Sequence, residues 1–118
     1  MEAIKEKARE IGRMLSRTAE YAAIKRANER LGEDREAVTA MNRLSDLEDE
    51  ITACLRSGRE PPTTLQEEYA QIAEQIQQRT VYQAVVAAQS NFERLMGSIN
   101  EEIARGIDAG EQSRIILP

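Results

Sequence analysis

Histidine and tryptophan are absent from this 118-residue chain, and cysteine occurs once, as Cys54. Without histidine there is no Ser-His-Asp triad, no ordinary zinc site and no Glu-x-x-His di-iron bundle. A single thiol closes no internal disulfide and supplies no thiolate metal site, which agrees with a reducing compartment. Cys54 follows Ile51 by three residues and stands near the end of a helical pattern. A reactive thiolate wants a helix N-terminus or basic neighbours, so a small buried thiol is expected instead. The six glycines are scattered and form no phosphate-cradling loop. Aromatics are limited to Tyr21, Tyr69, Tyr82 and Phe92, too few and too dispersed for a nucleic-acid stacking platform. No run of about 18 apolar residues exists to span a membrane. The opening MEAIKEKAREIGRML alternates charge with apolar residues and lacks the unbroken apolar stretch of a signal peptide. A cytoplasmic location is expected.

What the chain does have is an ordinary folded composition, 41% hydrophobic and 31% charged, at a length that suits one domain. Its core must be built mostly from Leu, Ile, Val, Met and Ala. The net charge of −5 is unevenly spread: residues 1–43 carry 10 basic and 8 acidic side chains, residues 44–118 carry 6 and 13. Such a surface does not invite nucleic acid, and neither a nucleic-acid nor a membrane partner is expected.

Helical spacing dominates. Ile4, Ala8, Ile11 and Leu15 share one face, and Ser16 to Thr18 offer cap residues for a restart. Tyr21, Ile24, Ala27 or Asn28, and Leu31 form the next stripe, with Gly32 as a candidate left-handed end and Asp34 as the N-cap of a third helix. That helix carries Ala37, Met41, Leu44, Leu47, Ile51 and Leu55, and ends at Ser57-Gly58. Pro61 and Pro62 forbid helix, so a loop is predicted at 58–63. Thr63 with Gln66, and Thr64 with Glu67, are two capping-box options for the fourth helix, which bears Leu65, Tyr69, Ile72 and Ile76. QQRT, residues 77–80, is either a tight turn or continuous helical surface. Val81, Val85, Ala88, Phe92, Leu95, Ile99, Ile103 and Ile107 then make the longest pattern. The expected fold is all-α, a small bundle of about five helices. It comprises a single domain over 3–108 and a tail over 109–118, for which Gly110 is the natural helix stop.

About 27 helical residues in that last pattern span roughly 40 Å, whereas a compact chain of this size has a radius of gyration of roughly 13–14 Å. Apolar surface is left over, and a second copy is the expected cover, through Leu44 and Ile51 on the third helix and Phe92, Leu95, Ile99 and Ile103 on the fifth. The apolar tail residues Ile115, Ile116 and Leu117 either fold back onto the protein or form a short docking peptide. The carboxylates form no apolar-flanked pair suited to acid–base chemistry. Asp46, Glu48 and Asp49 read as a solvated face or as a patch that steers a charged partner. No cofactor and no metal are expected.

Three stretches resemble the YlbF/YmcA family. The first holds Ile11-Gly12, Ser16, Tyr21, Ala27, Leu31 and Asp34. The second is SGREPPTTLQEEYAQI, and the third is AQSNFERLMGSINEEIARGI, with Phe92, Leu95, Met96, Gly97, Ile99, Asn100 and Ile103. Tyr21, Ala27, Leu31, Gly97 and Asn100 are the structural signature positions. The resemblance implies a small, helical, oligomer-forming cytoplasmic protein without catalytic activity. Better-known branches act in a complex that steers an endoribonuclease, with effects on competence, sporulation and biofilm formation, and some bind iron–sulfur clusters through cysteines. With Cys54 alone, this chain is more similar to the cysteine-poor YheA-like branch. The function implied is a non-enzymatic adaptor or regulator that binds itself and an unidentified protein. The alternative is a self-assembling structural or cargo-like protein docked by its tail.

Overall fold

Five helices follow one another with very little chain between them. They are α1 (Glu2–Leu15), α2 (Ala19–Glu33), α3 (Arg35–Arg56), α4 (Thr63–Gln78) and α5 (Thr80–Ile116). The structure is a computed structural model, described for residues 1–116 and for side chains through residue 112. The fold is all-α, and no strand occurs among the described residues.

Local chemistry sets the boundaries. Thr18 starts α2: its Oγ1 accepts from the Tyr21 N–H at 3.1 Å and donates to the Leu15 carbonyl at 2.7 Å. Asp34 is extended and caps α3, its Oδ1 accepting from the Ala37 N–H at 3.0 Å. The end of α3 is a Schellman turn. Gly58 has φ +73°, its N–H reaches the Leu55 carbonyl at 3.1 Å, and the Arg59 N–H reaches Cys54 at 2.9 Å.

Three local expectations are corrected. Gly32 is not a left-handed end, because α2 runs through it to Glu33 and hands over to α3 across Asp34 alone. An extended N-cap at Asp34 leaves no residue free for a separate C-terminal turn. Neither capping box forms: Pro62 starts α4 with its backbone, placing both threonines inside the first turn, and Gln66 Nε2 donates to the Pro61 carbonyl at 2.8 Å instead. The loop is therefore 57–62. Gly110 does not stop α5, which continues to Ile116. A lone helical glycine costs only about 1 kcal/mol and ends a helix only when it turns left-handed. QQRT resolves into a corner of one non-helical residue, Arg79.

The chain divides into two compact units. The middle unit, Ile24–Ala87, contains the end of α2, all of α3 and α4, and the start of α5. Asp34 meets Arg79, Arg43 meets Glu68, and Glu48 meets Tyr69, so α3 and α4 form an antiparallel hairpin. Its buried apolar residues are Ala27, Ala37, Leu47, Ile76 and Val85. Asn28 is exposed, which settles the α2 stripe on Ala27. Leu47 is the largest fully buried side chain. Cys54 is half-buried and not the enclosed thiol expected, and Leu55 beside it is 63% exposed.

The terminal unit contains Met1–Ala23 and α5 from Ala88 onward. Ala88 is its buried apolar residue among those described, and α1 buries none. The Tyr21 and Phe92 rings meet with centroids 5.9 Å apart and planes tilted by 56°, within the separation at which aromatic pairs attract. Ile11, Leu15, Leu95 and Ile99 are half-buried, while Ile4, Ile103 and Ile107 are exposed.

Leu47→Ala should cost about 3 kcal/mol in urea unfolding, as deleting a fully enclosed side chain does. Leu55→Ala should cost well under about 1 kcal/mol. Equal costs at the two positions would contradict this core.

Candidate functional site

The densest polar construction lies in the middle unit, where two helix corners are tied together. Asp34 separates α2 from α3, and Arg79 separates α4 from α5. Arg79 Nη2 donates to both Asp34 carboxylate oxygens, at 2.8 and 2.9 Å, and Nη1 donates to Glu36 Oε2 at 3.1 Å. Asp34 thus caps a helix and holds a guanidinium with one carboxylate. The Ala37 N–H, and then the Arg79 side chain, hold its carboxyl below the usual carboxylate range. Asp34 raises the pKa of Arg79 in turn. Both side chains keep partial solvent contact, at 21% and 32% exposure, and the Arg79 Nε is buried with no protein partner.

Further along the hairpin, Arg43 donates from Nε and Nη2 to the two oxygens of Glu68, at 2.8 and 2.9 Å. This planar two-point pairing is the geometry that arginine fits best, and it lowers the pKa of Glu68. The Tyr69 hydroxyl donates to Glu48 at 3.2 Å, which holds its proton above the usual phenol range. Between these ties runs an open groove of about 500 Å³. Ala40 and Ile72 line it with Thr39 and Gln75, together with Arg35, Arg43 and Arg79. Arg43 and Arg79 are already neutralised by carboxylates. Nothing in the groove pairs a nucleophile with a base, and no three potential metal ligands converge among the described residues. Chemically, this arrangement fixes helix geometry and offers a mixed surface for contact.

A family model described as "Control of competence regulator ComK, YlbF/YmcA" matches residues 4–108. The chain belongs to the YlbF/YmcA family. A comparison with curated proteins finds no match.

The YlbF/YmcA signature positions take up different places. Ala27 is buried, Leu31 half-buried, and Tyr21 packs on Phe92. Gly97 and Asn100 are exposed on α5, and a Cβ at Gly97 would touch nothing within 4 Å. Its smallness therefore serves no contact among the described residues. Leu44, Ile51, Phe92, Leu95 and Ile99 are half-buried, and Ile103 is exposed. Asp46, Glu48 and Asp49 are all exposed on α3, with Glu48 engaged by Tyr69. Ile115 and Ile116 lie in the backbone of α5 with side chains outside the described residues, and Leu117 lies outside them altogether. Arg79, Arg43 and Glu68 escaped the sequence reading. Asp34 showed its local cap role, but the arginine it holds stands 45 residues away.

Depressed carboxylate pKa values stabilise the fold above the unfolded-state value of about 4, and that stability is lost as pH falls through the lower folded-state value. Asp34→Asn should therefore lower the Tm at pH 6–7 and differ progressively less from the parent below about pH 4. The same Tm deficit at pH 3 and pH 7 would show that the Asp34–Arg79 pairing contributes nothing.

Proposed function

We propose that this chain is a non-enzymatic cytoplasmic regulator that acts by presenting helical surface to other proteins, itself included. The observation that carries this reading is the match of residues 4–108 to a family described by control of the competence regulator ComK. The geometry supports it. The middle unit ties up two of its groove arginines in structural pairs, and the terminal unit leaves apolar helix faces in solvent. Self-association would use Phe92, Leu95, Ile99 and Ile103 on the terminal part of α5, with Leu44 and Ile51 on α3. The resemblance implies that better-known branches act in a complex that steers an endoribonuclease, and we extend that role to this chain as part of the proposal. Asp46, Glu48 and Asp49 form an exposed acidic run that would speed encounter with a basic surface.

Light scattering at tens of micromolar should show a species larger than one chain, and Leu95→Asp should return it to monomer by placing an unpaired charge in the contact. A wild-type monomer under those conditions ends the self-association proposal. For the partner, full-length protein and residues 1–108 should retain the same protein in a pull-down. Neutralising Asp46, Glu48 and Asp49 to Asn or Gln should slow association about tenfold at low salt and much less at high salt. Loss of binding on deleting residues 109–118 would favour docking by the tail instead.

A further inference from the structure

The terminal unit carries two apolar stripes that outrun their cover. On α1 exposure rises toward the N-terminus: Leu15 and Ile11 are half-buried, and Ile4 is 68% exposed. On α5 it rises toward the C-terminus: Leu95 and Ile99 are half-buried, Ile103 is 50% exposed and Ile107 is 64% exposed. Both stripes keep helical spacing beyond the point where their own chain covers them. Burying an isoleucine is favourable in proportion to the apolar area hidden from water, so each of these exposed positions leaves part of that gain unrealised.

The charges bordering the stripes differ in sign. Residues 1–17 carry five basic and three acidic side chains, whereas residues 99–112 carry one basic and four acidic. Position around the helix sharpens the contrast. At 3.6 residues per turn, Lys5 and Lys7 flank the Ile4–Ala8 stripe on either side, while Glu2, Glu6, Arg9 and Arg13 fall on the back. Glu6 is occupied there, accepting from Arg9 at 2.8 Å and from Arg13 at 3.2 Å. Lys5 has only a loose neighbour, Glu2 at 4.0 Å. On α5, Glu111 lies closest to the Ile103–Ile107 stripe, Glu102 and Asp108 stand equally further round on its two sides, and Glu101 and Arg105 fall on the back. Glu102 also meets Arg105 at 2.8 Å, with both side chains about two-thirds or more exposed, a surface pair of small worth.

We propose that the lysine-rimmed face of α1 in one copy packs on the glutamate-rimmed end of α5 in a second copy. The proposal rests on the self-association put forward above and names the surfaces that meet. The lengths agree: α1 has 14 residues, about 21 Å, and Ile99 to Gln112 offers an equal length of α5. Under two-fold symmetry the contact occurs twice, so each copy contributes both segments. The two segments together hold 28 residues, of which about half face the partner, a contact at the small end for a stable interface. The small residues Ala104, Gly106 and Gly110 beside this stripe let a second helix approach closely.

Charge exchange across the rims tests this. Variant one carries Lys5→Glu and Lys7→Glu, and variant two carries Glu102→Lys and Glu111→Lys. All four positions are exposed, so circular dichroism should show unchanged helix. Alone and at low salt, each variant faces like charge on like charge, and its self-association should weaken at least about tenfold relative to the parent. Mixed one to one, each lysine rim meets a glutamate rim of the other variant, and light scattering should show assembly restored to the parental mass. If the wild type is itself a monomer, the underlying self-association is wrong. If the wild type assembles and the variants assemble equally well alone, or fail to recover on mixing, only this choice of surfaces is wrong.

Discussion

Scarcity of large enclosed side chains is the constraint from which the rest of the structure follows. Among the described residues the buried apolar ones are Ala27, Ala37, Leu47, Ile76, Val85 and Ala88, and half of these are alanines. Alanine lets helices come close but contributes little transfer free energy. The middle unit answers this with polar ties across its hairpin, at Asp34–Arg79 and Arg43–Glu68. Each tie joins residues that are also helix caps or neighbours of caps, or that lie on facing helices. Charge–charge contacts at partly exposed positions fix geometry more than they add stability. The terminal unit has no comparable ties between its helices among the described residues, and its apolar stripes end in solvent.

That division fits a protein that works by contact. The middle unit is where the corners are rigid: one residue at Asp34, one at Arg79, and a guanidinium spanning both. The terminal unit is where unspent apolar surface remains. Membership of a family described by control of the competence regulator ComK accords with such a plan. No helix among the described residues is long and apolar enough to cross a membrane, so a lipid bilayer is not the solvent of these stripes through a helical span.

What could be read in the sequence was whatever is encoded locally. The stripe on α3 could be followed because Leu44, Leu47 and Ile51 recur every three or four residues, and Asp34 could be read as a cap because capping reaches only three residues ahead. Glycine was the weaker guide. Gly32, Gly58 and Gly110 all stand where a helix could end, yet only Gly58 turns left-handed. The difference lies downstream: Gly58 is followed by a proline loop, Gly32 by an immediate N-cap, and Gly110 by Glu111 and Gln112, which continue a helix readily. The arginine ties were invisible because their partners stand 25 and 45 residues away and nothing in the spacing pairs them. The sequence pattern also placed Ile103 and Ile107 in line with Val85 and Ala88, although the first two are exposed and the last two buried. Periodicity tells which residues share a face, and only the neighbours decide whether that face is covered.

The central claim is that other protein chains, a second copy first among them, cover the ends of α1 and α5. Amide hydrogen exchange followed against protein concentration tests it most directly. Residues 2–10 of α1 and 101–112 of α5 should exchange quickly at high dilution and become protected as concentration rises, while the α3–α4 hairpin keeps the same protection throughout. Fast exchange in both segments at every concentration, in a sample shown to be assembled, would contradict the claim.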